Sequence, residues 1–479
     1  MRKPNLRDAR KRTKEEVKII SDAYIIPDGI DNMGKGKKYY LRTYGCQMNL
    51  RDSETIRAIL EDLGYEKEED YLKADMVLLN TCAIRENAHN KVFGMLGRFK
   101  NLKKQKPNLI IGLCGCMPQE EVVIDEIINK YPWLDFVFGT HNIHALPQIL
   151  LEYITQKQLT IDVFSNEGNI YENIPVKRDS KYKAWINIMY GCDKFCTYCI
   201  VPYTRGKQRS RKKEDIINEI KALVKDNYQE VTLLGQNVNA YGKDKAGNNY
   251  YLENLLQDIS QTGINRVRFI TSHPWDFTDD LIRVIKENKN IMPHLHFPVQ
   301  SGSNKILKLM GRRYTNEDYI NLYKKIKKEI PNMVITTDII VGFPNETKED
   351  FDKTIDLVNQ CQFDGAFTFI YSKREGTPAA KIKDTVTTEE KRNRLRELNK
   401  LINKYMLESN KRLVFKTVEV LIEGFSENNK ELLMGYTNTF KLVNIKGHKD
   451  NIGKIVLVKI TEAKTWSLNG EIIDEKEQD

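Results

Sequence analysis

Short apolar runs of strand length, each followed by a stretch with helical spacing, recur from Tyr39 to about residue 372, and this alternation restricts the possible folds more than any other feature. In a first series the runs are KKYYLRTYGC, DMVLLNTC, LIIGLCGC and DFVFGT. The intervening NLRDSETIRAILEDLG sets Ile56, Ile59, Leu60 and Leu63 on one helix face and ends at Gly64. An open parallel sheet covered by helices is expected. A second series, AWINIMYGC, EVTLLGQ, NRVRFITS, PHLHFPVQ, MVITTDIIVGFP and DGAFTFIYS, predicts a partial (β/α)6 barrel with its active face at the carboxyl ends of the strands. A charged helix at 387–411 follows, and then KTVEVLIEGF, ELLMGYTNTFKLVNIKG and KIVLVKITEAKTW read as a small β-barrel. The class is α/β, with domains expected at 37–155, 178–408 and 411–474. A charged leader at 1–36 should be mobile, and a polar linker should occupy 157–180.

Eight cysteines in 479 residues are too few for a disulfide scaffold, and clustered thiols then point to metal binding. Cys46, Cys82 and Cys116 each stand just past the end of a successive strand, where open α/β sheets form their ligand crevice. The competing reading is three ordinary buried cysteines. In the second series GCDKFCTYC places Cys192, Cys196 and Cys199 in the loop after the first barrel strand. Thiolates select zinc, copper(I) or iron–sulfur clusters, and zinc sites usually add a second Cys or His pair nearby, which does not follow here. A four-iron cube held by three cysteines leaves one iron open to a ligand. Cys114 is expected to pack beside the first trio, and Cys361 to be structural.

GCDKFCTYC, with Tyr198 before its last cysteine, resembles the signature of the radical S-adenosylmethionine (SAM) superfamily. TYGCQMN, NTCAIRENA, GCMPQE, LLGQNVNAYG, TSHPWDFTDDL, FPVQSGSNKILKLMGRRYT, TTDIIVGFPNET and YSKREGTPAA resemble the methylthiotransferase family over most of the chain. The resemblance is strongest to the branch acting on isopentenyladenosine in tRNA. It implies two 4Fe-4S clusters, an auxiliary one on Cys46, Cys82 and Cys116 and a radical one on Cys192, Cys196 and Cys199. It also implies SAM as cofactor, a terminal RNA-binding module of the TRAM type, the tRNA anticodon stem-loop as partner, and an external electron donor and sulfur source. Sibling branches acting on threonylcarbamoyladenosine or a ribosomal protein share most of these motifs, and residues 236–239 favour the first branch. A non-catalytic iron–sulfur RNA-binding or electron-transfer protein is the alternative from another class.

Gln236 and Asn237 after the second barrel strand, Gln300 and Ser301 after the fourth, and Asp338 in the fifth are the candidate SAM contacts. The basic run after the radical motif supplies Arg205, Arg209 and Arg211 as candidate phosphate contacts, and the terminal module adds Thr437, Lys441 and Asn444. His294 and His296 read as two side chains on one strand face rather than a metal pair. Valines and phenylalanines of PHLHFPVQ and DIIVGFP are candidates for a pocket around the isopentenyl group, in competition with core packing. The charge of +10 suits an anionic partner. No apolar stretch is long enough to span a membrane, the first twenty residues lack the apolar centre of a secretory signal, and a cytoplasmic protein is expected. Neither a P-loop nor a G-x-G-x-x-G fingerprint is present, which argues against nucleotide hydrolysis and hydride transfer.

Overall fold

The computed structural model describes residues 2–5, 17–83, 86–164 and 168–473. The first sheet has six parallel strands in the order Glu66–Lys67, Lys38–Tyr44, Met76–Thr81, Ile110–Gly115, Phe136–Phe138 and Thr160–Asp162. Met76–Thr81 is buried throughout, which is why its sequence runs apolar without alternation. One face is covered by Gln47–Asp62 and Leu146–Gln156, which contribute Ile56, Leu60, Ile149 and Leu150. The other is covered by Glu86–Gln105 and Glu121–Lys130, through Leu96, Phe99, Ile124 and Ile127. In register, Tyr44 pairs with Thr81 and Thr81 with Gly115, so three neighbouring strands end on one row.

Six further parallel strands form the partial barrel as two three-stranded sheets. They are Lys183–Asn187, Glu230–Leu234 and Arg266–Phe269, then His294–His296, Val334–Val341 and Gly365–Ile370, with a single bridge from Val267 to Ile291 joining the halves. Alternation sorts the side chains. Ala184, Ile186, Val231, Leu233, Val267, Phe269, Leu295, Ile335 and Ile339 lie in one apolar core under the helices. Their alternating neighbours, among them Lys183, Glu230, Arg268, His296, Asp338 and Phe367, therefore face the lumen.

The helix Thr388–Lys411 starts at a capping box, Thr387 Oγ1 accepting from Glu390 N–H and the Glu390 carboxylate accepting from Thr387 N–H at 2.8 Å. It leads to a closed five-stranded barrel of Thr417–Phe425, Leu433–Thr437, Leu442–Lys446, Leu468–Ile472 and Ile455–Ala463. This module does not stand apart. It seats beneath the starts of the barrel strands: Lys183 Nζ meets Glu423 Oε2 at 2.5 Å, Arg266 Nη1 donates to Tyr436 O at 2.9 Å, and the Arg268 guanidinium lies 3.2 Å from the Phe440 ring centroid. The terminal barrel thus floors the lumen of the central one.

Two organisational readings change. The leader at 1–36 is in part tied down, because Ile19–Ile20 pairs with Ile170–Tyr171, Arg2 bridges Asp162, and Ile30 is buried against the first helix. The first domain also runs past residue 155, since Thr160–Asp162 is its sixth strand. Strands of two or three residues carry too little periodicity to be read from sequence.

Candidate active site

Cys46, Cys82 and Cys116 sit just beyond the aligned row of strand ends. Asn49 ties them together: its Oδ1 accepts from Cys46 N–H at 3.3 Å, and its Nδ2 donates to Thr81 O at 3.2 Å and lies 3.9 Å from Cys116 Sγ. Asn49 lies within the TYGCQMN motif, but as a polar residue on the first helical turn it gave no separate signal. Gly115, at φ 99°, could not be replaced, because a Cβ there would stand 2.4 Å from Thr81 O. Gly191 before Cys192 is equally confined, with φ 71° and Lys207 O 2.1 Å from a Cβ. Each glycine lets a cysteine leave the backbone where another chain segment passes close by.

Burial pushes the Cys116 thiol up to about 12, against the pull of Arg205 and with the help of Cys82 and Cys46. In the second trio, burial pushes Cys192 up to about 12, and Cys199 is pushed up by burial and then by Cys196 and Cys192. In each trio the sulfurs are near enough to disfavour one another's ionisation. Among the described residues no three His, Cys, Asp or Glu side chains close on a single ion. A four-iron cube asks for something different: its three cysteines bind three separate irons and are spread accordingly. Buried thiols that resist ionisation alone become thiolates when metal supplies the positive charge, so both trios suit such a cube.

The two trios meet at one end of the barrel. Cys46 and Met48 pack with Leu234 and Ile270, at the carboxyl ends of the second and third barrel strands, and with Trp185 in the first strand and Tyr190 just after it. The loop bearing Cys192, Cys196 and Cys199 is pinned over the other half, Thr197 N–H donating to Met310 O at 2.9 Å and Ala379 N–H to Thr197 O at 2.9 Å. Arg312 Nη1 reaches Cys196 Sγ at 3.5 Å while its Nη2 donates to Pro298 O at 2.7 Å.

At the same end of the barrel lie buried oxygens without a protein partner: Asn237 Oδ1, Ser272 Oγ and Gln300 Oε1, after the second, third and fourth strands. Gln300 is held at φ 75°. Acceptors orphaned after three successive barrel strands fit a ligand carrying ammonium and hydroxyl donors, as SAM does. Asn237 Nδ2 donates to Asp276 at 2.9 Å. Burial raises the Asp276 carboxyl, but Lys194 at 2.6 Å and Asn237 outweigh it and hold it low. Gln236 Oε1 accepts from Gly191 N–H and orients the cysteine loop. Ser301 is turned away, fully buried against Thr354 and Ser303. Asp338 lines the lumen 3.4 Å from His296. His294 instead faces Arg268 and Phe440, so the two histidines have separate partners. Ser272 was not singled out from sequence, because a lone serine after a strand has no signal of its own.

The basic residues are the largest departure from expectation. Arg205, Arg209 and Arg211 are all buried and held by the protein. Arg205 bonds Cys116 and Asp52, and Arg209 donates to Arg205 O and Lys207 O. Arg211 makes a bidentate pair with Glu172 at 2.7 Å and reaches Glu219 at 2.8 Å. The linker is accordingly a strap. Lys441 donates to Asn410 Oδ1 at 2.7 Å and Ser409 Oγ at 2.9 Å, and burial brings its pKa down to about 8. Thr437 is buried as well. These side chains are not free to meet a phosphate backbone as placed. The run of arginines reads as a nucleic-acid patch only while its acidic partners, far away in sequence, are unseen. Phe297, Val299, Val341 and Phe343 are fully buried too, so core packing claims the residues considered for an isopentenyl pocket.

Cys114 pairs with Asn80 inside the sheet and packs with Ile56, Leu60 and Phe136 under the helix Gln47–Asp62. Cys114→Ala is expected to leave the iron content of the reconstituted protein unchanged; loss of about four irons would make it a ligand.

Three family models match in chain order: Uncharacterized protein family UPF0004 over 38–139, the Radical SAM superfamily over 186–358 and the TRAM domain over 411–473. A tRNA-2-methylthio-N(6)-dimethylallyladenosine synthase of Bacillus cytotoxicus is 56% identical over 98% of this chain and 92% of its own length. One from Staphylococcus epidermidis is 54% identical over 99% and 92%. The chain belongs to the tRNA-2-methylthio-N(6)-dimethylallyladenosine synthase family. Among solved structures, the radical SAM methyltransferase TsrM of Kitasatospora setae is similar in fold, with a TM-score of 0.50 at 13% identity over 72% of this chain and 75% of that one. As a synthase of this family the chain is a radical SAM enzyme, and an iron–sulfur cluster and SAM are its cofactors. Among the described residues no helix is long and apolar enough to cross a membrane.

Proposed function

We propose that this chain methylthiolates carbon 2 of N(6)-isopentenyladenosine beside the anticodon of tRNA, using SAM and two four-iron clusters. The observation that carries the reading is the placement of both cysteine trios at one end of the barrel, Cys116 packing against Ile200 just after Cys199, in a chain related over 98% of its length to synthases named for that product. When bound, the clusters and SAM supply a carbon-centred radical for the unactivated hydrogen and the methylthio group that replaces it. The residues of the chain do the holding. Asn237, Ser272 and Gln300 offer acceptors to SAM, and Asp276, kept ionised by Lys194, offers a carboxylate beside them. Trp275, 45% exposed next to the radical loop with Lys194 and Arg313 over its ring, offers an aromatic and cationic surface to an incoming nucleotide.

The lumen supplies a wall for the five-carbon group. Phe367 and Phe369 alternate with Ala366 and Ile370, which pack into the helix-side core, and remain 60% and 41% exposed on the lumen face. Phe367 lies opposite Asp338 in register, with its ring 5.8 Å from that of His296. Full burial of five carbons is worth about 4 kcal/mol at most. Phe367→Ala should lower the preference for prenylated over unprenylated stem-loops by roughly tenfold, about 1.4 kcal/mol. The test is a single-turnover competition between the two stem-loops with nucleoside analysis. Equal reaction of both by the wild type defeats the substrate assignment. A wild-type preference that survives in Phe367→Ala and Phe369→Ala places the pocket elsewhere.

A further inference from the structure

Arg205 belongs to the radical SAM domain, directly after the short helix Val201–Thr204, yet its head group lies in the first domain. Its Nε donates to Cys116 Sγ at 3.1 Å and its Nη2 to Asp52 Oδ2 at 2.6 Å. The side chains of the pair are 6% and 8% exposed. The crossing is fixed on both sides. Ile200 and Tyr203 pack with Ala83 and Cys116, and Thr140 Oγ1 donates to Thr204 O at 3.0 Å. Cys116 thus takes a cationic donor, and Asp52 is bonded to that same cation. The radical trio is approached in a similar way by Arg312 on Cys196, but there the guanidinium is bonded to a carbonyl and a phenol, with no carboxylate.

We infer that Arg205 is a positioning residue that sets the reduction potential of the auxiliary cluster by donating to the Cys116 sulfur, with Asp52 as its counterweight. The inference rests on the reading that Cys46, Cys82 and Cys116 hold a cluster. A hydrogen bond and a positive charge at a ligand sulfur stabilise the more negative, reduced state, and so raise the potential. A carboxylate on the far side of the guanidinium offsets part of that charge. The two residues should therefore act in opposite directions, whereas a purely structural pair should fail together.

The test uses the full-length chain with Cys192, Cys196 and Cys199 replaced by alanine, reconstituted anaerobically, so that an electron paramagnetic resonance redox titration reads one cluster. Arg205→Gln should retain the iron and shift the midpoint to more negative values. Arg205→Lys, which keeps the charge without the fork, should fall between Gln and wild type. Asp52→Asn should shift the midpoint to more positive values. Unmoved midpoints with full iron, shifts of the same sign in Arg205→Gln and Asp52→Asn, or loss of iron in both Arg205 variants would each overturn the inference. Failure of the parent protein to take up a cluster would instead defeat the reading beneath it.

Discussion

Alanine at Cys192, Cys196 and Cys199 is expected to abolish SAM cleavage and product formation outright, while about four of about eight irons remain bound. Alanine at Cys46, Cys82 and Cys116 should also leave about four irons and no methylthiolated product, but with SAM cleavage retained. The asymmetry follows from placement. The radical trio rides on a loop pinned by Thr197 to residues 309 and 310 and by Ala379 to Thr197, all of them outside the first domain. The auxiliary trio is built on the ends of three strands and on Asn49. Each framework survives without the other's sulfurs. Iron analysis and chromatography of 5′-deoxyadenosine check both variants. Stoichiometric zinc without iron, or loss of both clusters in either variant, would contradict the assignment.

Arg211→Ala should cost about 3–5 kcal/mol of stability, the typical penalty for stranding buried charges. Its guanidinium, 8% exposed, joins Glu172 of the strap to Glu219 of the helix Lys213–Lys225, and Glu219 is shared with Arg178 at 2.6 Å. Burial alone would raise the Glu219 carboxyl, but Arg211, Arg51 and Arg178 outweigh it and bring it from 4.5 down to about 2. A depressed carboxyl contributes stability that is fully present above its ordinary value and is lost as pH falls through the folded one. The wild type should therefore lose this contribution between about pH 4.5 and about pH 2, and the deficit of the variant should narrow over the same interval. Urea unfolding at several pH values measures it. A deficit below about 1 kcal/mol that does not change with pH would make the network ornamental.

The layered parts of this molecule were legible because they obey short periods. Continuous apolar runs marked the buried strands of the first sheet, and Ala184, Ile186, Val231 and Leu233 marked the helix side of the barrel by alternation. Strand-end position brought Cys46, Cys82 and Cys116 to one row because parallel strands end together. What escaped notice depends on contacts between distant residues. Arg205, Arg209 and Arg211 look like a basic patch until Asp52, Glu172 and Glu219 are seen beside them. Lys441 looked solvent-facing until the end of the long helix closed over it. The exposed Phe367 and Phe369 could not be told from core phenylalanines, since the same alternation serves a filled barrel and an open one. Nor does a terminal β-barrel announce that it floors its neighbour.

The most direct measurement is mass spectrometry of tRNA nucleosides from cells with and without this chain. The account predicts that 2-methylthio-N(6)-isopentenyladenosine disappears without it and that N(6)-isopentenyladenosine accumulates in its place, both reversed by the wild-type chain and neither by the Cys46, Cys82, Cys116 variant. An unchanged nucleoside profile, or the loss of a methylthio group from threonylcarbamoyladenosine alone, would contradict it.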